Sequence, residues 1–296
     1  MIDYVAEENV LRQRHEAALV RLFNYHTTGC PQPLLSAMTH SLFSGGKRIR
    51  PILLYQAASL FGNPGKEGDV LACALEMIHT ASLIHDDMPA MDNDTIRRGK
   101  PTCHVVYGEG QALLAGDSLL NLAYELMLLH PIKESKKNAY YQACGILAKA
   151  AGSRGMCGGQ CIDLSSEAEE AFALDRMNRM KTGALLRGAV EAGSVLCGAS
   201  KSQRQALVRW ADYFGLLFQL TDDILDITGN NSGKSIGKDV RDNKRTYVTL
   251  LGMKEAEALA EHLASKAIAA LSDLYITSER SGYFYWITEL TVHRTV

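Results

Sequence analysis

Apolar residues recur along this chain at three- and four-residue spacing, and β-branched alternation is scarce, which is a helical pattern. Read this way, the sequence predicts helices near 3–26, 33–43, 48–61, 67–87, 104–129, 137–152, 172–197, 203–227, 246–271 and 281–293. The segments 67–84 and 183–199 carry little charge on any side. A helix that is apolar all round belongs in the centre of a bundle or at a subunit interface. All seven prolines lie at or before Pro131, each near an expected boundary, so the rest of the chain suits long uninterrupted helices. Turn chemistry gathers at Ser44-Gly45-Gly46, Gly62-Asn63-Pro64-Gly65, 92–101 and 229–243, and none of these stretches has the composition of an interdomain linker. The expectation is an all-α fold, with residues 1–296 forming a single-domain bundle of ten or more helices.

Composition changes this picture little. The chain has 296 residues, 47% hydrophobic and 22% charged, enough for a sizeable core. A formal net charge of −2 supplies no field that would recruit nucleic acid. The first residues mix acids and bases without a secretory pattern, and no uninterrupted apolar run of membrane-spanning length stands out. The expectation is a cytoplasmic protein with no stable membrane insertion. The seven cysteines are scattered, as reduced thiols are. Cys157 and Cys161 are four residues apart, but no nearby histidine completes a metal set, so they read as small buried thiols.

Charge patterning changes it a great deal. Two acid-rich stretches, Asp86-Asp87-Met88-Pro89-Ala90-Met91-Asp92 and Asp222-Asp223-Ile224-Leu225-Asp226, each end an apolar run. Carboxylates crowded there repel one another, are costly to desolvate and face the negative end of a helix dipole. An all-oxygen set of this kind suits a hard divalent cation, Mg²⁺ first, shared with substrate phosphates. Asp222 and Asp223 lie four and three residues from Asp226, on one helical patch. Asp86 and Asp92 are six apart, so Pro89 must end or kink the helix for Asp92 to fold back towards Asp86.

Basic groups accompany each acidic one. Gly45-Gly46-Lys47-Arg48-Ile49-Arg50-Pro51 is a glycine turn feeding a helix start, with Lys47 and Arg50 able to point the same way. Arg97-Arg98-Gly99-Lys100 follows the first acidic stretch, Lys181-Thr182-Gly183 opens an apolar helix, and Lys234, Lys238, Lys244 and Arg245 follow the second. The mixture suits a substrate with two phosphates. His79, two turns before Asp86, reads as a phosphate contact, and His85 as a supporting group.

These motifs, together with Gly116-Asp117, Gly158-Gly159-Gln160 with Asp163, and Phe218-Gln219-Leu220-Thr221 ahead of the second acids, resemble the trans-isoprenyl diphosphate synthase family, in particular its bacterial farnesyl and geranylgeranyl diphosphate synthases. The likeness spans nearly the whole chain. It implies an isoprenoid synthase fold around a deep central cavity, a homodimer, and three Mg²⁺ ions held by two aspartate motifs on opposite walls. It implies Asp86, Asp87, Asp92, Asp222, Asp223 and Asp226 as the acids of the metal site, with Asp86, Asp92 and Asp222 foremost as direct ligands. Arg97, Lys181 and Lys244 would hold an allylic diphosphate (dimethylallyl, geranyl or farnesyl). Lys47, Arg50, His79 and Arg98 would hold isopentenyl diphosphate. Thr182 and Gln219 would face the reacting carbons. The implied reaction is ionisation of the allylic substrate, attack by the isopentenyl double bond and proton loss.

Product length then depends on what the growing tail meets below the first motif. Ala81 and Ser82 lie five and four residues before Asp86, with Met77 and Ile78 one turn deeper and 112–124 on a facing helix. Family members that stop at fifteen carbons often carry an aromatic where Ala81 stands, so the resemblance leans towards a twenty-carbon product. The end of the chain, His293-Arg294-Thr295-Val296, departs from the family's basic tip. The competing readings are a terpene cyclase of the same fold, which would not need the second set of basic residues, and a catalytically silent subunit of a heteromeric prenyl synthase. A histidine–aspartate metal hydrolase built on His85 and Asp86 lacks its further histidines.

Overall fold

The computed structural model describes residues 2–165, 171–228 and 245–293. The helices, in chain order, are α1 (Tyr4–His26), α2 (Gln32–Leu42), α3 (Ile49–Ser59), α4 (Gly65–Asp86), α5 (Cys103–Tyr107), α6 (Glu109–Leu129), α7 (Lys137–Ala151), α8 (Met156–Leu164), α9 (Ala171–Asn178), α10 (Ala184–Leu196), α11 (Lys201–Thr228), α12 (Tyr247–Leu251), α13 (Met253–Leu271) and α14 (Ser278–Val292). Two short strands, β1 (Ile96–Arg97) and β2 (Lys100–Pro101), pair antiparallel across the Arg98-Gly99 turn.

The two segments expected at the centre are there. α4 and α10 are buried around most of their circumference, α4 against α6, α3 and α1, and α10 against α3, α7 and α11. α11 runs beside α10 and packs along α13. The ring of Trp210 on α11 stacks on Phe214 at 4.6 Å between centroids, and its indole N–H donates to Thr288 on α14 at 3.0 Å. The C-terminal helix is thereby part of the core. Tyr283 on α14 also donates to Glu8 on α1 at 2.7 Å. The atypical tip from Arg294 onward lies outside the described residues.

Several expected boundaries move for identifiable reasons. The helix expected over 104–129 is two helices, because Gly108 adopts φ 81° and ends α5. The span 172–197 is interrupted at Arg179–Gly183 by one turn of π-helix. The span 246–271 breaks at Gly252. α8 was not among the expected helices. Finally, α6 is long and apolar enough by length and composition to cross a membrane, with a mean hydropathy of 1.4 over its best window, although Asp117 and Glu125 interrupt its apolar run. Here it packs on α4 and α2 within the bundle.

Candidate active site

The ends of α4 and α11, the hairpin, α8 and the π-turn before α10 enclose one cavity of about 1300 Å³. That exceeds the roughly 300–1,000 Å³ of an ordinary small-molecule site. Its lining joins a charged set, Asp86, Asp92, Arg97, Lys181, Asp222, Asp223 and Asp226, to an apolar one, Ile78, Ala81, Leu120, Tyr124, Met156, Leu164 and Leu185.

The first wall is made by the way α4 ends. After Asp86 the chain wraps back: the Asp92 amide donates to the Asp86 carbonyl at 2.9 Å, and the Asn93 amide to Met88 at 3.1 Å. This is the return expected at Pro89, and it brings Asp86 and Asp92 to one rim. Asp87 turns the other way. It lines a small neighbouring cleft and accepts three contacts from Arg97: Nε to both oxygens at 2.7 and 2.9 Å, and Nη2 to one at 2.6 Å. Burial raises the Asp87 carboxyl against the pull of Arg97, and the same pair holds the guanidinium above its usual range despite burial. The three short contacts are those of a charged pair. Asp87, grouped with the metal acids from sequence, therefore does not line the main cavity. The Asp86 carboxylate makes no hydrogen bond or ion pair among the described residues. Burial raises its pKa, with Lys181 pulling it down and Asp92 and Asp87 pushing it up.

The second wall is the unbroken C-terminal end of α11, which carries Asp222, Asp223 and Asp226 on adjoining turns. Asp223 is buried and accepts from Gln219 Nε2 at 2.9 Å and from the Tyr247 amide at 3.2 Å. Gln219 in turn accepts from the Thr182 hydroxyl at 2.8 Å. Thr182 and Lys181 sit in the π-turn, which faces both into the cavity. Lys181 donates to Asp163 on α8 at 2.6 Å. Lys244 lies outside the described residues.

The basic motif at α3 is divided. Arg48 stands in the left-handed region at φ 52°, with its side chain fully buried. It donates to Glu16 on α1 at 2.7 Å, to Glu76 on α4 at 2.5 Å and to the Leu42 carbonyl at 2.9 Å. Burial works to lower its pKa, and the two carboxylates carry it above its ordinary value. Arg50 reaches the cavity and donates to His79 Nε2 at 3.1 Å. Burial and the adjacent Arg50, Arg98 and Arg97 push His79 well below its usual range, so it is neutral at neutral pH. Burial also lowers Arg50, to about 10. Lys47 is exposed and does not line the cavity. Arg98 lies in the neighbouring cleft, donating to the Gly45 carbonyl and to Ser44.

Of the chain-length residues, Ala81, Ser82 and Ile78 line the cavity, as do Leu120 and Tyr124 from the facing helix. Met77 does not; it is fully buried on another side of α4. Sequence reasoning gave no role to the cavity-facing side of α8. Gln160 lines the cavity there, and neither of its side-chain polar atoms has a partner. A buried amide left this way is aimed at something that brings its own hydrogen bonds. The 156, 157, 160, 161, 164 spacing could have shown this face.

Among the described residues, no three His, Cys, Asp or Glu side chains converge to hold an ion by themselves. Mg²⁺ is usually bound through one or two carboxylates plus substrate phosphates rather than in an all-protein cage. Oxygen donors on two walls of one cavity, Asp86 among them without a partner, fit that mode.

Residues 31–275 match the polyprenyl synthetase family. The chain is 45% identical over 244 residues to geranylgeranyl diphosphate synthase of Cyanophora paradoxa, covering 81% of each chain. It is 43% identical over 262 residues to farnesyl diphosphate synthase of Geobacillus stearothermophilus, covering 86% of this chain and 88% of that one. A geranyltransferase structure from Legionella pneumophila superposes with a TM-score of 0.84 at 33% identity, over 98% of this chain and 97% of that one.

Proposed function

The chain belongs to the polyprenyl synthetase family, and from that membership we propose that its cavity couples isopentenyl diphosphate to an allylic diphosphate and releases a farnesyl- or geranylgeranyl-length product. The coarser statement, a short-chain trans-prenyltransferase of the farnesyl and geranylgeranyl diphosphate synthase type, follows from the relatives themselves. One observation supports the proposal above the others: acids from two helices and a set of apolar side chains line a single cavity.

The family generally uses Mg²⁺, and Asp86, Asp92, Asp222 and Asp226 are the residues that would hold it. When bound, it supplies positive charge to the departing diphosphate. Arg97 and Lys181 flank the same rim and bind the allylic diphosphate, with Lys244 as a third cation. Asp87 keeps Arg97 oriented. Arg50 and neutral His79 receive isopentenyl diphosphate; Arg98 stands in the adjoining cleft, and Lys47, expected with them, is exposed outside the cavity. As the allylic C1–O bond breaks, charge grows on the pyrophosphate, where these cations stabilise it. The apolar lining keeps water from the allylic cation. The isopentenyl double bond forms the new C–C bond, and the departed pyrophosphate takes the proton that is lost. Thr182, Gln219 and Asp223 form a hydrogen-bonded chain beside the reacting carbons that positions without donating a nucleophile.

Ala81 is small and lines the cavity, and Ile78, Leu120 and Tyr124 lie along it, which supports depth for a twenty-carbon tail. Val105, Val106, Leu113 and Leu114 on α5 and α6 are 47–51% exposed and would be covered by a second copy in a homodimer. Product analysis with geranyl diphosphate, with and without isopentenyl diphosphate, tests the reading in wild type and Ala81→Tyr. The expected result is no turnover without the co-substrate, a longer diphosphate with it, and a shorter product from Ala81→Tyr. A hydrocarbon formed from geranyl diphosphate alone would favour a cyclase, and an unchanged product distribution would remove Ala81 as the floor.

A further inference from the structure

α8 presses so closely on the π-turn that a Cβ at Gly159 would lie 2.1 Å from the Lys181 backbone nitrogen. This contact fixes which face of α8 looks into the cavity, and two of the residues on that face are Cys157 and Cys161. Both thiols are free and exposed, not buried as the sequence suggested, because this face of α8 opens on the cavity instead of packing on another helix. They stand one helical turn apart, with a Cβ separation of about 5–6 Å. Rotation about χ1 brings two such sulfurs onto one centre. Cys73, Cys103 and Cys144 are buried, Cys30 and Cys197 stand on other segments, and none of these five lines the cavity.

We infer that Cys157 and Cys161 form a dithiol site in the cavity wall that captures a thiophilic centre of the trivalent aryl-arsenical class. Paired sulfurs select soft centres over the hard cations that suit the aspartates nearby. Met156, Leu120 and Tyr124 line the same cavity and give an aryl group an apolar surface to pack on. The chemistry balances without an oxidant. An aryl arsenic oxide forms two As–S bonds, its oxygen leaves with the two thiol protons as one water, and arsenic stays trivalent. The inference stands on the cavity wall alone and does not depend on the reaction proposed above.

Intact-protein mass spectrometry after one equivalent of phenylarsine oxide tests it. The expected result is a single adduct heavier by the reagent less one water, retained in excess 2-mercaptoethanol and stripped by 2,3-dimercaptopropanol. Cys157→Ala and Cys161→Ala should each lose the adduct, and Cys30→Ala should keep it. Peptide mapping of the wild-type adduct gives a readout that needs no variant to fold, and should place arsenic on a fragment holding both cysteines. Arsenic on any other fragment, an adduct that survives in either α8 variant, or removal by 2-mercaptoethanol would overturn the inference.

Discussion

Two clusters of buried charge, one at the middle of α4 and one at its C-terminal end, are resolved in opposite ways. Around Glu76 the protein supplies its own counter-charge: Arg48 is enclosed between Glu16 and Glu76, and a backbone carbonyl takes a further donor. At Asp86 the carboxylate is half-buried, its pKa is raised by burial, and among the described residues it has no ion pair. The first arrangement is complete within the chain and reads as structure. The second is incomplete and reads as a place for something that arrives with positive charge. Asp87, one residue further on, sides with the first type through Arg97. Adjacent aspartates in one motif thus do different work, and their partners tell them apart.

That contrast can be broken from the stability side. Glu76→Gln leaves Arg48 buried with one carboxylate, and breaking such a pair costs about 3–5 kcal/mol. A fall in Tm of about 6–10 °C is expected in calorimetry, and an unchanged Tm would mean the enclosed triad contributes nothing. Asp87→Asn keeps the shape but removes the charge facing Arg97. The expected loss is smaller, about 1–3 kcal/mol, with a higher KM for the allylic substrate because Arg97 loses its orientation. Loss of stability with an unaltered KM would confine Asp87 to the fold.

Asp86→Asn should do the reverse of both: lose turnover while the ligand-free protein keeps or slightly gains stability. The pH dependence follows from the sign of the shift. Burial raises the Asp86 carboxyl above its unfolded value, so between the two values the folded state holds more protons and stability falls as pH rises. The gain from Asp86→Asn should therefore be greatest at neutral pH and disappear below the ordinary carboxylate range. Thermal melts of both proteins across pH check this, and a variant less stable at neutral pH would show that Asp86 is paired after all.

The sequence carried the large features because they rest on composition and periodicity. α4 and α10 read as central helices from their lack of charge, and the return of Asp92 towards Asp86 could be anticipated from Pro89. What escaped depends on packing between distant segments. Glycines 158 and 159 weaken the helical signal, and only the packing of α8 against Met180 and Lys181, which leaves no room for a Cβ at either, explains them. The π-turn at Lys181 has no local signature. The split between Asp86 and Asp87 is invisible in a string of identical residues, since it is set by where the hairpin carries Arg97. Met77 and Ile78 are neighbours on α4, and only the position of the cavity decides which of them lines it.

The central claim is that the two acidic walls act on one ligand. A double-mutant cycle in the binding of farnesyl thiodiphosphate, a non-ionising analogue, in the presence of Mg²⁺ tests it most directly. Walls that share a ligand predict strong coupling: Asp86→Asn and Asp222→Asn each weaken Kd by about 10-fold or more, and the double variant is little worse than the poorer single one. Losses that simply multiply, or a silent Asp222→Asn, would mean that the walls do not grip a common group.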